Sequence, residues 1–311
     1  MPRVSIIIPT YNSSATLRCA LRSVATQTYS DFEVLVVGDG CTDDSEQIVA
    51  SFRDHRVSWT NLDRNCGSQS WPNNEGLRRA RGQYIAYLGH DDLWFPWHLS
   101  SLVETIERTK ANFVHGVMVD VWPGGCAELF GTPYALGSYD RHFVPPSAWM
   151  HHRDIVKSVG DWPKPDRILI GVDFEFQRRA FRAGARFAPS GVLSAIKFRS
   201  IVWGRLSLHS RWPQPAYLEL IEQNPELLRD WLLREVALRG PLREPPTWTA
   251  SLRSVVRPVV DAIGRERWPL LPLYLWRTRR ARKRARRVRG MPHVTEGQIE
   301  RPSNRDADEC K

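Results

Sequence analysis

Gly82-Gln-Tyr-Ile-Ala-Tyr-Leu-Gly-His-Asp-Asp92 is the stretch whose reading decides the fold. Tyr84 to Leu88 is a β-branched and aromatic run of the length of a buried strand. It breaks at Gly89 and delivers His90, Asp91 and Asp92 side by side. In an open α/β sheet, ligands bind outside the carboxyl ends of the strands, so a strand ending in carboxylates points at a site. The adjacent acids have two readings. They cap the next helix, with Pro96 in its first turn, or they hold a hard divalent cation through oxygen.

Upstream, Val4 to Ile8 reads as a strand stopped by Pro9. Ser13 or Ser14 then caps a helix whose Leu17, Ala20, Leu21 and Val24 follow the i, i+3, i+4, i+7 spacing. Phe32 to Val37 is a second strand, ending at Gly38-Asp39-Gly40, and Asp43 with Glu46 opens the next helix. A short strand from Val57 to Thr60 leads into a polar loop, Asn61 to Asn74, and a short helix with Leu77 and Ala80. Downstream, Leu99, Leu102, Val103 and Ile106 share a helix face, and Phe113 to Val119 is a strand. Gly- and Pro-rich sequence from Trp122 to Pro146 reads as a mobile or partner-facing loop. A helix from Asp173 to Arg182 and short strands at Phe187 and Val192 to Phe198 complete the pattern. This alternation gives an α/β fold, a mostly parallel sheet with helices on both faces.

The expected organisation is a main domain over 1–209, a helical extension over 210–276 and a basic tail over 277–311. Pro225 to Gly240 reads as a self-contained helix. Trp268 to Trp276 is an apolar patch, and Arg277 to Arg289 holds nine Lys/Arg and no acid. The formal net charge of +10 therefore falls to about +1 without that run. A nearly neutral main body argues against a nucleic-acid groove, so no nucleic-acid partner is expected. The run suits an anionic membrane surface, with a disordered solubilising tail or incidental RNA binding as the plainer readings. Five cysteines without a Cys-x-x-Cys pair fit a reducing, cytoplasmic compartment. The first apolar run is too short for a signal peptide, and no stretch reaches the ~20 apolar residues of a membrane span.

Three strand ends converge in this reading: Pro9-Thr-Tyr-Asn12, Gly38-Asp39-Gly40 and His90-Asp91-Asp92. They suit a nucleotide pocket. Tyr11 can cover a base, Asp39 can accept from a base N–H or a ribose hydroxyl, and Asp91 can hold a metal against a diphosphate.

With those segments in place, the sequence resembles glycosyltransferase family 2, enzymes of the GT-A fold that use nucleotide sugars. Val4 to Asn12, Asp31 to Gly40 and Asn74 to Leu88 running into Asp92 carry the likeness, which covers residues 3 to 200 approximately. The resemblance implies a nucleotide diphosphate sugar donor, a saccharide or lipid-linked acceptor, and inversion at the anomeric carbon. It implies that Tyr11 and Asp39 hold the nucleobase and that Asp91, matching the last acid of an Asp-x-Asp motif, binds Mn or Mg. Pro9 and His90 fall on the same donor side. Asp173, in Gly171-Val-Asp-Phe-Glu175, matches the acid of a Glu-Asp motif that serves as base. Read without the family, Asp173 is also a helix N-cap, and Glu175 is the alternative carboxylate. Arg199 could close over the diphosphate, or stand solvated. The chain departs from the pattern at Gly89, where the first acid of Asp-x-Asp usually stands, at Asn73, a usual arginine, and at Val172, a usual glutamate. The cytoplasmic reading then becomes an enzyme peripheral at the inner face of the plasma membrane.

Overall fold

The computed structural model describes residues 1–122, 125–132, 139–168, 170–198 and 213–239. Strands β1 (Val4–Thr10), β2 (Phe32–Gly38), β3 (Val57–Asn61) and β4 (Tyr84–Tyr87) pair in parallel in the order β3-β2-β1-β4. Ile6, Ile7 and Ile8 are wholly buried, as is Val34 to Val37 apart from traces. Near-continuous apolar runs are what a sheet covered on both faces requires, and each such side chain contributes about 1.5–3 kcal/mol. The covering helices are α1 (Ser14–Ala25), α2 (Ser45–Ser51), α3 (Ser70–Arg79) and α4 (His98–Thr109).

The far half of the sheet is mixed. It runs β4-β8-β6-β9-β5, with β5 (Leu93–Trp94), β6 (Phe113–Trp122), β8 (Trp149–His152) and β9 (Phe187–Phe198). β6 and β9 are parallel, whereas β5 and β8 run antiparallel to their neighbours. Hairpin strand β7 (Gly125–Phe130) pairs with β6 inside the segment expected to be a loop. Its backbone bonds to β6 decide the matter, since Gly-rich composition weakens a strand without forbidding one. The two strands expected at Phe187 and Val192 are one, turning at Gly191 (φ +74°). Helix α4 starts at His98, so Pro96 precedes it and neither Asp91 nor Asp92 caps it.

Helices α5 (Ile155–Val159) and α6 (Val172–Arg182) pack with an aromatic core. Trp149 and Trp162 are fully buried, their rings 6.0 Å apart, and both stack on Phe176. They fill the interior of this half of the molecule. Helices α7 (Gln214–Gln223) and α8 (Pro225–Arg239) lie on the main domain. Leu218, Ile221, Leu228 and Leu232 join Leu93, Phe95 and Phe198 in one apolar cluster, and Arg22 pairs with Glu222. Arg199, the patch Trp268 to Trp276 and the basic run Arg277 to Arg289 lie outside the described residues.

Candidate active site

The parallel register levels the strand ends. Thr10 of β1 stands opposite Gly38 of β2, and Ile7 opposite Tyr87 of β4. The chain after β1, β2 and β4 therefore leaves the sheet at a single rim. Asp39 N–H donates to the Thr10 carbonyl at 2.8 Å, and Asn12 in turn receives Thr42 N–H at 2.8 Å. Those bonds tie the first two loops together.

Two hollows flank Asp91. One, about 180 Å³, is lined by Asn12 to Thr16, His90 and Asp91. It sits over the first turn of α1, where backbone N–H groups and the helix dipole favour an anion. Ser13 does not cap this helix; its hydroxyl donates to the Tyr11 carbonyl, and Asp43 accepts Ser14 N–H at 3.0 Å instead. The other hollow, about 100 Å³, is lined by Pro9, Gln69, Asn73, Asp91, Asp92, Ser147, Asp173 and Lys197, among others. Side by side they approach the lower end of the roughly 300–1,000 Å³ of small-molecule sites.

Asp91 and Asp173, 82 positions apart in sequence, thus share one hollow. Pro9 lines it too, and its carbonyl lies 3.1 Å from His90 Nδ1, which fixes the imidazole against the first hollow. Tyr11 stands 46% exposed at the rim. Asp39 lines neither hollow. It is buried, with Oδ1 receiving Cys66 N–H at 3.0 Å and Oδ2 receiving Gly67 N–H and Asn65 Nδ2 at 3.1 Å. As folded, Asp39 organises the 65–67 loop beside the strand ends.

Asp92 faces inward and is 1% exposed. Ser147 Oγ donates to its Oδ2 at 2.6 Å, Phe198 N–H to its Oδ1 at 3.1 Å, and Gly89 N–H donates to that same Ser147 hydroxyl. Burial pushes its carboxyl above the ordinary range, against the pull of Lys197. Gly89 leaves space for this packing: a Cβ there would stand 3.0 Å from Asp91 Oδ1 and 3.1 Å from Asp92 Oδ2.

Asp173 is the second residue of α6, after an N-cap at Gly171 that makes no side-chain bond. Its Oδ1 accepts the adjacent Phe174 N–H at 2.8 Å rather than an N-cap's bond further along the helix. Burial raises its carboxyl above the ordinary aspartate range, opposed by that N–H and by Lys197. Glu175 does not line the hollow, and Arg178 lies 3.9 Å from it. A Cβ on Gly171 would fall 2.4 Å from Asp173 Oδ1. Gly171→Ala is expected to swing that carboxylate out of place, cutting turnover at least about tenfold with an unchanged melting temperature. Steady-state rates beside a thermal melt check this; full activity would detach Asp173 from the chemistry.

Lys197 and Asn73 were not assigned roles from the sequence. Lys197 is a lone base in the apolar strand Val192 to Phe198, and that isolation is the one signal it gives. Asn73 is wholly buried, and neither amide atom finds a partner among the described residues.

Residues 5–124 match the model described as Glycosyl transferase family 2. A UDP-Glc:alpha-D-GlcNAc-diphosphoundecaprenol beta-1,3-glucosyltransferase of Escherichia coli is 33% identical over 113 residues, 36% of this chain and 45% of that protein. The chain spans about a third of the length of the curated relatives it matches first, uncharacterized glycosyltransferases of two Rickettsia species at 40% and 39% identity. Residues 1–349 of Staphylococcus aureus TarS, in complex with UDP-GlcNAc, superpose with a TM-score of 0.56 at 22% identity, covering 64% of this chain and 59% of that one. A mannosyltransferase of Pyrobaculum calidifontis, in complex with GDP-Man and Mn2+, gives 0.50 at 16% identity, covering 92% and 86%. Residues 5–124 are thus similar to glycosyl transferase family 2, and the chain that carries them has the GT-A fold.

Proposed function

We propose that this protein is an inverting glycosyltransferase that moves a sugar from a nucleotide diphosphate to an acceptor hydroxyl. The observation that carries the reading is Asp91 and Asp173 on one hollow at the carboxyl rim of the sheet. The nucleotide lies on the side of Tyr11, Asp39 and His90, and the diphosphate reaches Asp91 past the first turn of α1. Asp173 takes the acceptor proton as the hydroxyl oxygen bonds the anomeric carbon, and the bond to the phosphate oxygen breaks with its electron pair leaving on the diphosphate. A positioned carboxylate of this kind contributes about 10²–10⁴-fold.

The charge of the hollow bears on the metal. Asp91, Asp92 and Asp173 stand against the single ammonium of Lys197, so a diphosphate arriving alone would be repelled. Among the described residues no three His, Cys, Asp or Glu side chains form a ligand set. Mg²⁺-type binding needs few protein ligands, because waters and diphosphate oxygens fill the other positions. Asp91, open to both hollows, fits that requirement, whereas Asp92 is committed to Ser147 and Phe198. When bound there, Mn²⁺ or Mg²⁺ would offset the diphosphate charge.

A lipid-linked acceptor is proposed by analogy with the E. coli relative, named for an alpha-D-GlcNAc-diphosphoundecaprenol acceptor. The basic run Arg277 to Arg289 would hold the enzyme at anionic headgroups of the inner membrane face, at about 1 kcal/mol per residue. Sedimentation with anionic vesicles is expected for the full chain and lost when the nine bases become serine; equal sedimentation of both would refute this. A second reading, a nucleotide-sugar binder without turnover, is motivated by Gly89 in place of the first acid. A thermal-shift screen of nucleotide sugars with and without Mn²⁺, followed by assay for nucleotide release, decides between them. Stabilisation by one donor class with release supports the transferase, and stabilisation without release supports the binder.

A further inference from the structure

Lys197 sits on β9 between Ile196 and Phe198, both wholly buried, and opposite Asp120 of β6. A lysine in such a strand costs free energy unless charges around it compensate. The plain explanation is that it is the partner of Asp92. Three observations go beyond that.

Asp92 already has its bonds, with Ser147 Oγ on one oxygen and Phe198 N–H on the other. Lys197 Nζ stands 3.5 Å from Asp92 Oδ2, outside the roughly 2.7–2.9 Å of a charge-assisted bond. A lysine built only to neutralise Asp92 would close that gap. A quarter of its side chain also remains open, and Lys197 lines the hollow with Asp91 and Asp173. Finally, the ammonium keeps its charge. Burial pulls it down, but Asp92, Asp91, Asp120 and Asp173 together hold it above the ordinary lysine range. An ammonium has three donors on a flexible stem, free to follow an oxyanion as charge builds.

We propose, on the transferase reading above, that Lys197 is a catalytic residue whose ammonium hydrogen-bonds the donor diphosphate and takes up the charge that develops as the sugar–phosphate bond breaks. The acceptor oxygen bonds the anomeric carbon and its proton goes to Asp173. The electron pair of the broken bond stays on the diphosphate oxygen, and Lys197 donates a hydrogen bond to that diphosphate without losing its proton. The role complements a divalent cation at Asp91, because the ammonium reaches the same hollow from a different element, β9.

The test uses the full chain, UDP-glucose as the probe donor, Mn²⁺ and UDP release to water as the readout. Lys197→Met is expected to lower kcat by about 10²–10³-fold, as removal of one oxyanion donor does, with a smaller change in KM. Lys197→Arg should restore part of the loss. Because Lys197→Met strands a buried carboxylate, the paired variant Asp92→Asn with Lys197→Met removes both charges and keeps the fold testable by thermal melt. A catalytic Lys197 leaves that double variant as slow as the single one. Recovery to within a few-fold of wild type would make Lys197 a structural partner only and overturn the proposal, as would near-normal kcat in Lys197→Met. A wild type that neither binds nor cleaves any nucleotide sugar would instead sink the transferase reading, and this proposal with it.

Discussion

Asp173→Asn lowers turnover by about 10²–10⁴-fold and leaves donor affinity and the melting temperature intact. On the proposed reading this side chain faces the arriving acceptor hydroxyl, from the hollow it shares with Asp91. Asparagine keeps the shape and can still accept the Phe174 N–H, but it cannot take a proton. The pH dependence has a definite sign. Burial holds this carboxyl above the ordinary aspartate range, and only its ionised form is a base. The acid-side fall in rate therefore comes at a higher pH than for a solvent-exposed aspartate. Stability runs the other way. A carboxyl whose folded pKa is raised makes the fold less stable once pH exceeds its unfolded value, so the neutral asparagine should melt no lower at pH 7. Rate–pH profiles and melts of the purified variant check both. Near-normal turnover would remove Asp173 from the mechanism, and Glu175 would be the next carboxylate to examine.

Asp91→Asn has the second large effect. Among the described residues, it removes the one carboxylate that lines both hollows. The expected loss is several kcal/mol of charge stabilisation, at 1.36 kcal/mol per tenfold at least about 10²-fold in kcat/KM, together with loss of Mn²⁺-strengthened donor affinity. Asp92 cannot substitute, because Ser147, Phe198 and the inward packing hold it. Nor would an acid placed at Gly89 simply add a ligand, since its Cβ would already crowd both neighbouring carboxylates. A variant with wild-type metal response and rate would show that the cation, if one is used, binds elsewhere.

The near half of the fold was legible because parallel strands covered on both faces read as unbroken apolar runs, as Val4 to Ile8 and Phe32 to Val37 do. The far half was not. Strand β8 is Trp-Met-His-His, which no period identifies, and it is a strand because β4 and β6 lie on either side of it. Two-residue β5 owes its pairing to β9. Asp91 and Asp173 could be named from their segments, because acids at a strand end and a helix start are local features. Lys197 could not, since its importance comes from the β6–β9 register and from carboxylates carried by other elements. The same holds for Asp43, which caps a helix 29 positions earlier, and for Asp39, whose bonds to the 65–67 loop have no local mark.

Calorimetric titration of UDP-glucose into the full chain, with and without Mn²⁺, and into Asp91→Asn under the same conditions, examines the shared hollow most directly. Donor binding that Mn²⁺ strengthens at least tenfold in the wild type and leaves unchanged in Asp91→Asn is the expected result. The same Mn²⁺ response in both proteins would contradict the site described here.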